Sequence, residues 1–171
     1  CSELADFFFA WQQKHGLGNA PNVTTTRNSA EVQDADPHDF ADKLKNVFRE
    51  CHRLLKDDGI LAFTYHHSRK EGWSSLADAI FGAGFRVVNS QPVRSEMLVA
   101  TPKSQAKEPI QLDIILVCRK RPDEPPSRPQ PDICRIAVEA ADRKLNRLHL
   151  AGFDLSKNDR RVVVYGQLLA L

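Results

Sequence analysis

An α/β layered fold is what this sequence predicts, on three observations. Stretches with apolar residues at helical spacing alternate with short apolar runs of strand length, the pattern of helices packed on a sheet. The run Ile60-Leu-Ala-Phe-Thr-Tyr65 is apolar on both faces at its start, as suits a central strand of a parallel sheet. The last two strand-like runs are joined without a helix, so they are expected to pair antiparallel, as a hairpin at the sheet edge.

Each element follows from local pattern. Ser2 to His15 reads as a helix carrying Leu4, Phe7, Phe8 and Trp11 at helical spacing, stopped by Gly16 and Gly18. Gly18 to Asp36 has little periodicity and reads as a loop, long for a compact domain. Asp36-Pro37 is a helix start, with Asp as N-cap, Pro at the first helical position and Asp39 in the first turn. Phe40, Leu44, Val47, Phe48, Cys51, Leu54 and Leu55 then give that helix one apolar face, and Lys56-Asp-Asp-Gly59 ends it. After the strand at 60–65, His66 to Gly72 is a loop. A helix over Trp73 to Ala83 follows, with Trp73, Leu76, Ala77, Ile80 and Phe81 on one side. Phe85 to Val88 is the next strand, Gln91 to Glu108 a long connection, and Ile110 to Arg119 the last strand. Residues 121–131 hold five of the ten prolines and read as an extended linker. Asp132 is expected to cap a helix using Ile133, Ile136, Ala137, Ala140, Leu145 and Leu148. A final helix is expected from Asp159 to Leu171, against the β-branched run Val162-Val-Val164.

The composition fits one soluble domain with at most a small appendage. The chain has 171 residues, 42% of them apolar and 27% charged, with 24 basic against 22 acidic side chains. Collagen-like, mucin-like and wholly disordered chains are excluded. No apolar run approaches the ~18–20 residues that span a bilayer. Residues 1–118 carry 13 basic and 15 acidic residues and residues 119–171 carry 11 and 7, a bias that permits a phosphate contact near the C-terminus without arguing for one. Cys1, Cys51, Cys118 and Cys134 show no zinc-ligand spacing, and Cys51 and Cys118, which sit inside apolar patterns, read as buried reduced thiols. With no secretory signal, a cytoplasmic location is expected, and no membrane partner.

Several segments in order resemble S-adenosylmethionine-dependent methyltransferases. Arg53-Leu-Leu-Lys-Asp-Asp-Gly59 before an apolar strand is similar to the entry into their fifth strand, Ala83-Gly-Phe85 to the entry into the sixth, and Asp113-Ile-Ile-Leu-Val-Cys118 to the antiparallel seventh. The narrower resemblance is to adenine-specific DNA methylases of the DUF1156-containing type. There, Ser2-Glu-Leu-Ala-Asp-Phe-Phe-Phe-Ala-Trp11 looks like the stretch after the catalytic Asp-Pro-Pro-Tyr motif; Phe63-Thr-Tyr-His-His67, Trp73, Pro92-Val-Arg-Ser-Glu96 and Cys118-Arg-Lys120 fit too. The resemblance implies the C-terminal half of a Rossmann-like methyltransferase sheet, strands 5, 6 and 7 with flanking helices, plus a helical tail. It divides the chain into a partial methyltransferase domain at 1–120, the linker at 121–131 and a helical segment at 132–171.

The sequence contains neither a Gly-rich cofactor loop between strand and helix nor an Asn/Asp-Pro-Pro-Tyr/Phe motif. In the family both lie upstream of where Cys1 falls, so the resemblance implies no catalytic residue in this chain. It implies S-adenosylmethionine as cofactor of a parent protein, with weak or absent binding by the chain alone. DNA is the implied partner, the N6 amine of adenine (or the N4 amine of cytosine) the implied target, and the missing N-terminal half or a second copy would cover the open sheet edge. Two other readings stand beside it: a non-catalytic binding or assembly module derived from the fold, and a methyltransferase of RNA or a small molecule.

Candidate site residues cluster where open α/β sheets bind ligands, at the carboxyl ends of strands. Tyr65 could stack on a base and His66 or His67 could hydrogen-bond a base or phosphate, against the plain reading of loop-capping and solvated side chains. Two adjacent histidines on an extended chain point apart and make no metal pair. In the loop between the last two strands, Arg94 could hold a phosphate and Glu96 accept from an exocyclic amine, against a solvated turn. Glu3 and Asp6 read as helix N-terminal carboxylates, and Phe7, Phe8 and Trp11 as core rather than a stacking platform. Arg119-Lys-Arg121 reads as a solvated strand end.

Overall fold

In the computed structural model, which describes residues 2–16, 25, 32, 34, 36–95, 110–121 and 132–171, the chain forms two units, Cys1–Gln33 and Asp34–Leu171. The smaller unit holds helix α1 (Ser2–Lys14), which ends where Gly16 adopts φ +69°. Asp6 accepts a hydrogen bond from the Thr25 hydroxyl at 2.9 Å. Phe7, Phe8 and Trp11 are 58%, 61% and 51% exposed. They were expected in a core; instead they pack on one another along the helix, Phe7 edge-on to Phe8 and Trp11 stacked on His15. Except for residues 25, 32, 34 and 36, the loop expected over 18–36 lies outside the described residues.

The larger unit begins with α2 (Pro37–Leu54). Its N-cap is the expected one: the Asp36 carboxylate accepts from the amides of His38 and Asp39 at 2.7 and 3.2 Å. Then come β1 (Leu61–Tyr65), α3 (Lys70–Gly82), β2 (Phe85–Arg94), β3 (Leu112–Lys120), α4 (Ile133–Leu150) and α5 (Lys157–Leu169). The strands form one sheet in the order β1-β3-β2, antiparallel throughout. Leu61 faces Cys118 and Tyr65 faces Ile114 across the β1–β3 ladder; Phe85 faces Lys120 and Arg94 faces Leu112 across β2–β3.

This corrects the expected sheet in three ways. β3 pairs antiparallel with β2 as predicted, but it inserts between β1 and β2 instead of ending a hairpin at the edge. β1 and β2, both antiparallel to β3, therefore run in the same direction without pairing with each other. β1 is not a strand buried on both faces: Ala62 and Thr64 are exposed, and among the described residues β3 is its one partner. β2 runs on through Gln91–Arg94, which the prolines had suggested was connection. Among the described residues β2 is an edge strand, so Pro92 is tolerated there: a missing amide donor breaks no ladder on the open side.

One face of the sheet carries the core. Leu112, Ile114, Leu116 and Cys118 of β3 are fully buried, and burial pushes the Cys118 thiol up to about 11. α2 reaches this face through Phe48, whose ring lies 5.1 Å from that of Phe63, and through His52, edge-on to Phe85. α3 contributes Trp73, Leu76, Ala79 and Ile80. The C-terminal helices share the same core. Val162 and Val163 of α5 are buried in it, and Ala137, Ala141 and Leu145 bury one side of α4. Gly166 lets α5 approach closely, since a methyl group there would meet Ser90 and Ile114.

The start of α5 is locked to the start of β3 by Asp159, which is fully buried. One carboxylate oxygen accepts from the amides of Gln111 and Leu112 at 2.7 and 3.1 Å. The other accepts from the amide and hydroxyl of Ser156 at 2.9 and 2.8 Å, closing a capping box. The helix thus starts two residues before its expected first residue. The Asp132 side chain, by contrast, makes no capping hydrogen bond; it lies 3.5 Å from Arg135.

Candidate functional site

The carboxyl end of β1 holds three of the predicted residues, and neighbouring positions use them differently. Tyr65 faces the covered side of the sheet. Its hydroxyl donates to the Gly72 carbonyl at 2.8 Å, its ring meets Trp73 edge-on at 5.0 Å, and burial pushes its phenol up to about 12. His67 lies nearly parallel to the Tyr65 ring at 6.3 Å, and its carbonyl accepts from the Trp73 indole at 2.9 Å. The Arg69 amide is 3.1 Å from His67 Nδ1. Gly72 packs directly against the imidazole, leaving no room for a side chain. These contacts fold the 66–69 segment back onto the first turn of α3.

His66 lies at the other side of the strand end. Its Nδ1 is 2.8 Å from Asp113 Oδ1 and 3.2 Å from the Leu112 carbonyl oxygen. Asp113 sits on the β3 face opposite the buried Leu112 and Ile114, and the two side chains are 33% and 26% exposed. This pair joins two strands at the carboxyl end of β1 and is accessible from solvent.

The other predictions separate from it. Arg94 is the last residue of β2 and not part of a loop, because the ladder continues past it: the Ser95 amide donates to the Gln111 carbonyl at 2.8 Å. Arg94 pairs with Leu112 and so takes the covered face, with its guanidinium 6.0 Å from the centre of the Phe153 ring. Glu96 lies outside the described residues. The basic cluster ending β3 is tied down in part, Arg119 donating to the Asp58 carbonyl at 2.7 Å and Lys120 pairing with Asp57 at 3.1 Å. Among the described residues no cluster of His, Cys, Asp or Glu could hold a metal ion, and no helix is long and apolar enough to cross a membrane.

Sequence reasoning passed over Asp113 as the head of a strand. The signal was there: with Leu112, Ile114, Leu116 and Cys118 alternating inward, Asp113 had to point to the other face. It also missed Asp159, although Ser156-Lys-Asn-Asp159 has capping-box spacing.

Among the described residues there is no glycine-rich strand-to-helix turn of the kind that cradles S-adenosylmethionine. Gly82 and Gly84 lie between helix α3 and strand β2, the reverse of the strand-to-helix turn that opens amides to a ligand. Lys45 and His52 of α2 pack directly over them.

The family model described as DNA methylase matches residues 18–161, which is 144 of the 171 residues. The chain belongs to the DNA methylase family. The match runs through the sheet and α4 into α5, and α1 lies outside it. No curated protein and no solved structure matches the chain.

Proposed function

We propose that this chain is the target-base side of an S-adenosylmethionine-dependent DNA methyltransferase acting on the N6 amine of adenine, of the DUF1156-containing type. The methylase that contains it would supply the cofactor loop and the Pro-Pro-Tyr motif, neither of which occurs in these 171 residues. The observation that carries this reading, beside the family match, is the reversed strand. β1 and β2 share a direction and are joined through α3, and β3 runs against both between them. On this reading β1, β2 and β3 are the fifth, sixth and seventh strands of a Rossmann-like methyltransferase sheet. The outer edge of β1 then accepts the next strand of the sheet.

The chemistry asks little of this chain beyond positioning. An exocyclic amine needs to be extruded from the duplex and held in line for attack, with its flanking phosphates fixed. The rigid strand end supplies a floor: Tyr65, His67 and Trp73 lock one another, and Gly72 holds the loop close. His66 stands at the accessible side as the polar contact to the base. Arg94, braced on Phe153 at the end of β2 and on the other face of the sheet from His66, is a cation for a phosphate flanking the base.

Calorimetry tests the division of labour. The 171-residue chain titrated with S-adenosylmethionine is expected to give no resolvable heat, and the methylase that contains it a saturable isotherm. Equal binding by both would contradict the assignment of the cofactor loop to the rest of the protein. No binding by either would favour the non-catalytic module derived from the same fold.

A further inference from the structure

The geometry points to His66 Nε2 as the acceptor for an N–H donor of the target base, with Asp113 as the positioning residue that fixes its tautomer; this rests on the reading of the chain as the target-base side. The argument is one of proton bookkeeping. The two groups near Nδ1, a carboxylate oxygen at 2.8 Å and a backbone carbonyl oxygen at 3.2 Å, can only accept. Nδ1 must therefore carry the proton whenever the ring is neutral, and Nε2 keeps its lone pair. Among the described residues Nε2 has no hydrogen-bond partner, and the ring is one-third exposed. A carboxylate that orients a neutral imidazole so that its far nitrogen faces a ligand is a recurrent device in sites that bind or move protons.

The location restricts the ligand. His66 follows the last residue of β1, and Asp113 stands beside it on β3, on the sheet face away from the helices. A neutral Nε2 there accepts but cannot donate, so it selects an amine or amide N–H and disfavours a bare carbonyl or phosphate oxygen. The exocyclic amine of adenine or cytosine has that chemistry; the Watson–Crick face of thymine has one N–H between two carbonyls. A purely structural pair, by contrast, would need only the Nδ1 side, which latches the β1 end to β3.

Two experiments separate these roles. Two-bond ¹H–¹⁵N spectra of the 171-residue chain, at a pH where the ring is neutral, are expected to show His66 protonated at Nδ1. Asp113→Ala should shift it toward the other tautomer. Nε2 protonation in the unmodified chain would overturn the inference. In the methylase that contains the chain, His66→Asn keeps a donor where Nδ1 lies and removes the far nitrogen, while His66→Gln places a polar group near Nε2. His66→Asn should melt where the unmodified protein does and methylate adenine in DNA about tenfold more slowly, the loss of roughly one hydrogen bond. His66→Gln should recover part of that loss. A His66→Asn protein that methylates at the unmodified rate would show the pair to be a latch only. An unmodified methylase that transfers no methyl group to DNA would overturn the functional reading itself, and the spectra would still decide the tautomer.

Discussion

Asp113 and Asp159 meet the same strand entrance and could hardly be more different. Asp159 is fully buried and spends both oxygens on four donors, the backbone amides of Gln111 and Leu112 at the entrance to β3 and two on Ser156. Asp113 is about one-quarter exposed and spends one oxygen on His66. A carboxylate taken out of water persists only when its lone pairs are filled, and filling them leaves nothing for a ligand. One left partly in water, bonded to a titratable ring with a nitrogen to spare, is built to hold that ring toward something else. Burial and saturation mark structure; partial exposure and an unused atom mark a site.

That contrast is open to breakage by mutation, beginning with the largest effect. Asp159→Ala uncaps α5 and leaves the Gln111 and Leu112 amides unsatisfied beneath it. The expected cost is about 3 kcal/mol, read as a Tm lower by roughly 6–12 °C in thermal melts. A loss under about 1 kcal/mol would mean that water replaces the carboxylate and that the clamp is not structural. Gly72→Ala comes next. The new methyl meets the His67 ring, and overpacking at such a contact costs about 1–3 kcal/mol in denaturant titrations.

Tyr65→Phe should cost about 1 kcal/mol near neutral pH, the bond to the Gly72 carbonyl. It also has a pH signature. The folded phenol is raised to about 12 from an ordinary value of 10.0, so between those values the unfolded chain releases a proton that the folded chain retains. Stability contributed by the neutral, buried phenol is whole below pH 10 and declines as pH rises toward 12. Cys118, raised to about 11 from 9.0, adds the same sign of dependence over pH 9–11. Urea melts across pH 9–12 should fall more steeply for the unmodified chain than for Tyr65→Phe, and equal slopes would contradict a buried phenol. Smallest is Asp113→Asn, expected to change stability by less than about 1 kcal/mol because the pair it breaks is partly exposed. A loss as large as that of Asp159→Ala would erase the distinction between the two carboxylates.

Much of this was legible in the chain. Asp36-Pro37 marks a helix start because the Asp carboxylate and the fixed Pro backbone both serve the first turn, and the structure uses both. The antiparallel pairing of β2 and β3 followed from the absence of a crossover helix. The insertion of β3 between β1 and β2 did not, because strand order depends on long-range contacts that no local pattern encodes. Pro92 misled for a related reason: proline excludes a central strand, and only the order of the sheet reveals that β2 is at an edge. At the site, spacing brought Tyr65, His66 and His67 to one strand end. It could not show that the Tyr65 hydroxyl is spent on Gly72, that Arg94 takes the opposite face from His66, or that Asp113 arrives beside His66 from 47 residues away.

The most direct test of the account is transfer of a labelled methyl group from S-adenosylmethionine to adenine-containing duplex DNA, measured for the longer methylase to which the proposed function assigns this chain and for the 171 residues alone. The account predicts methylated adenine from the former and none above background from the latter. Methyl transfer by the isolated 171-residue chain would contradict it.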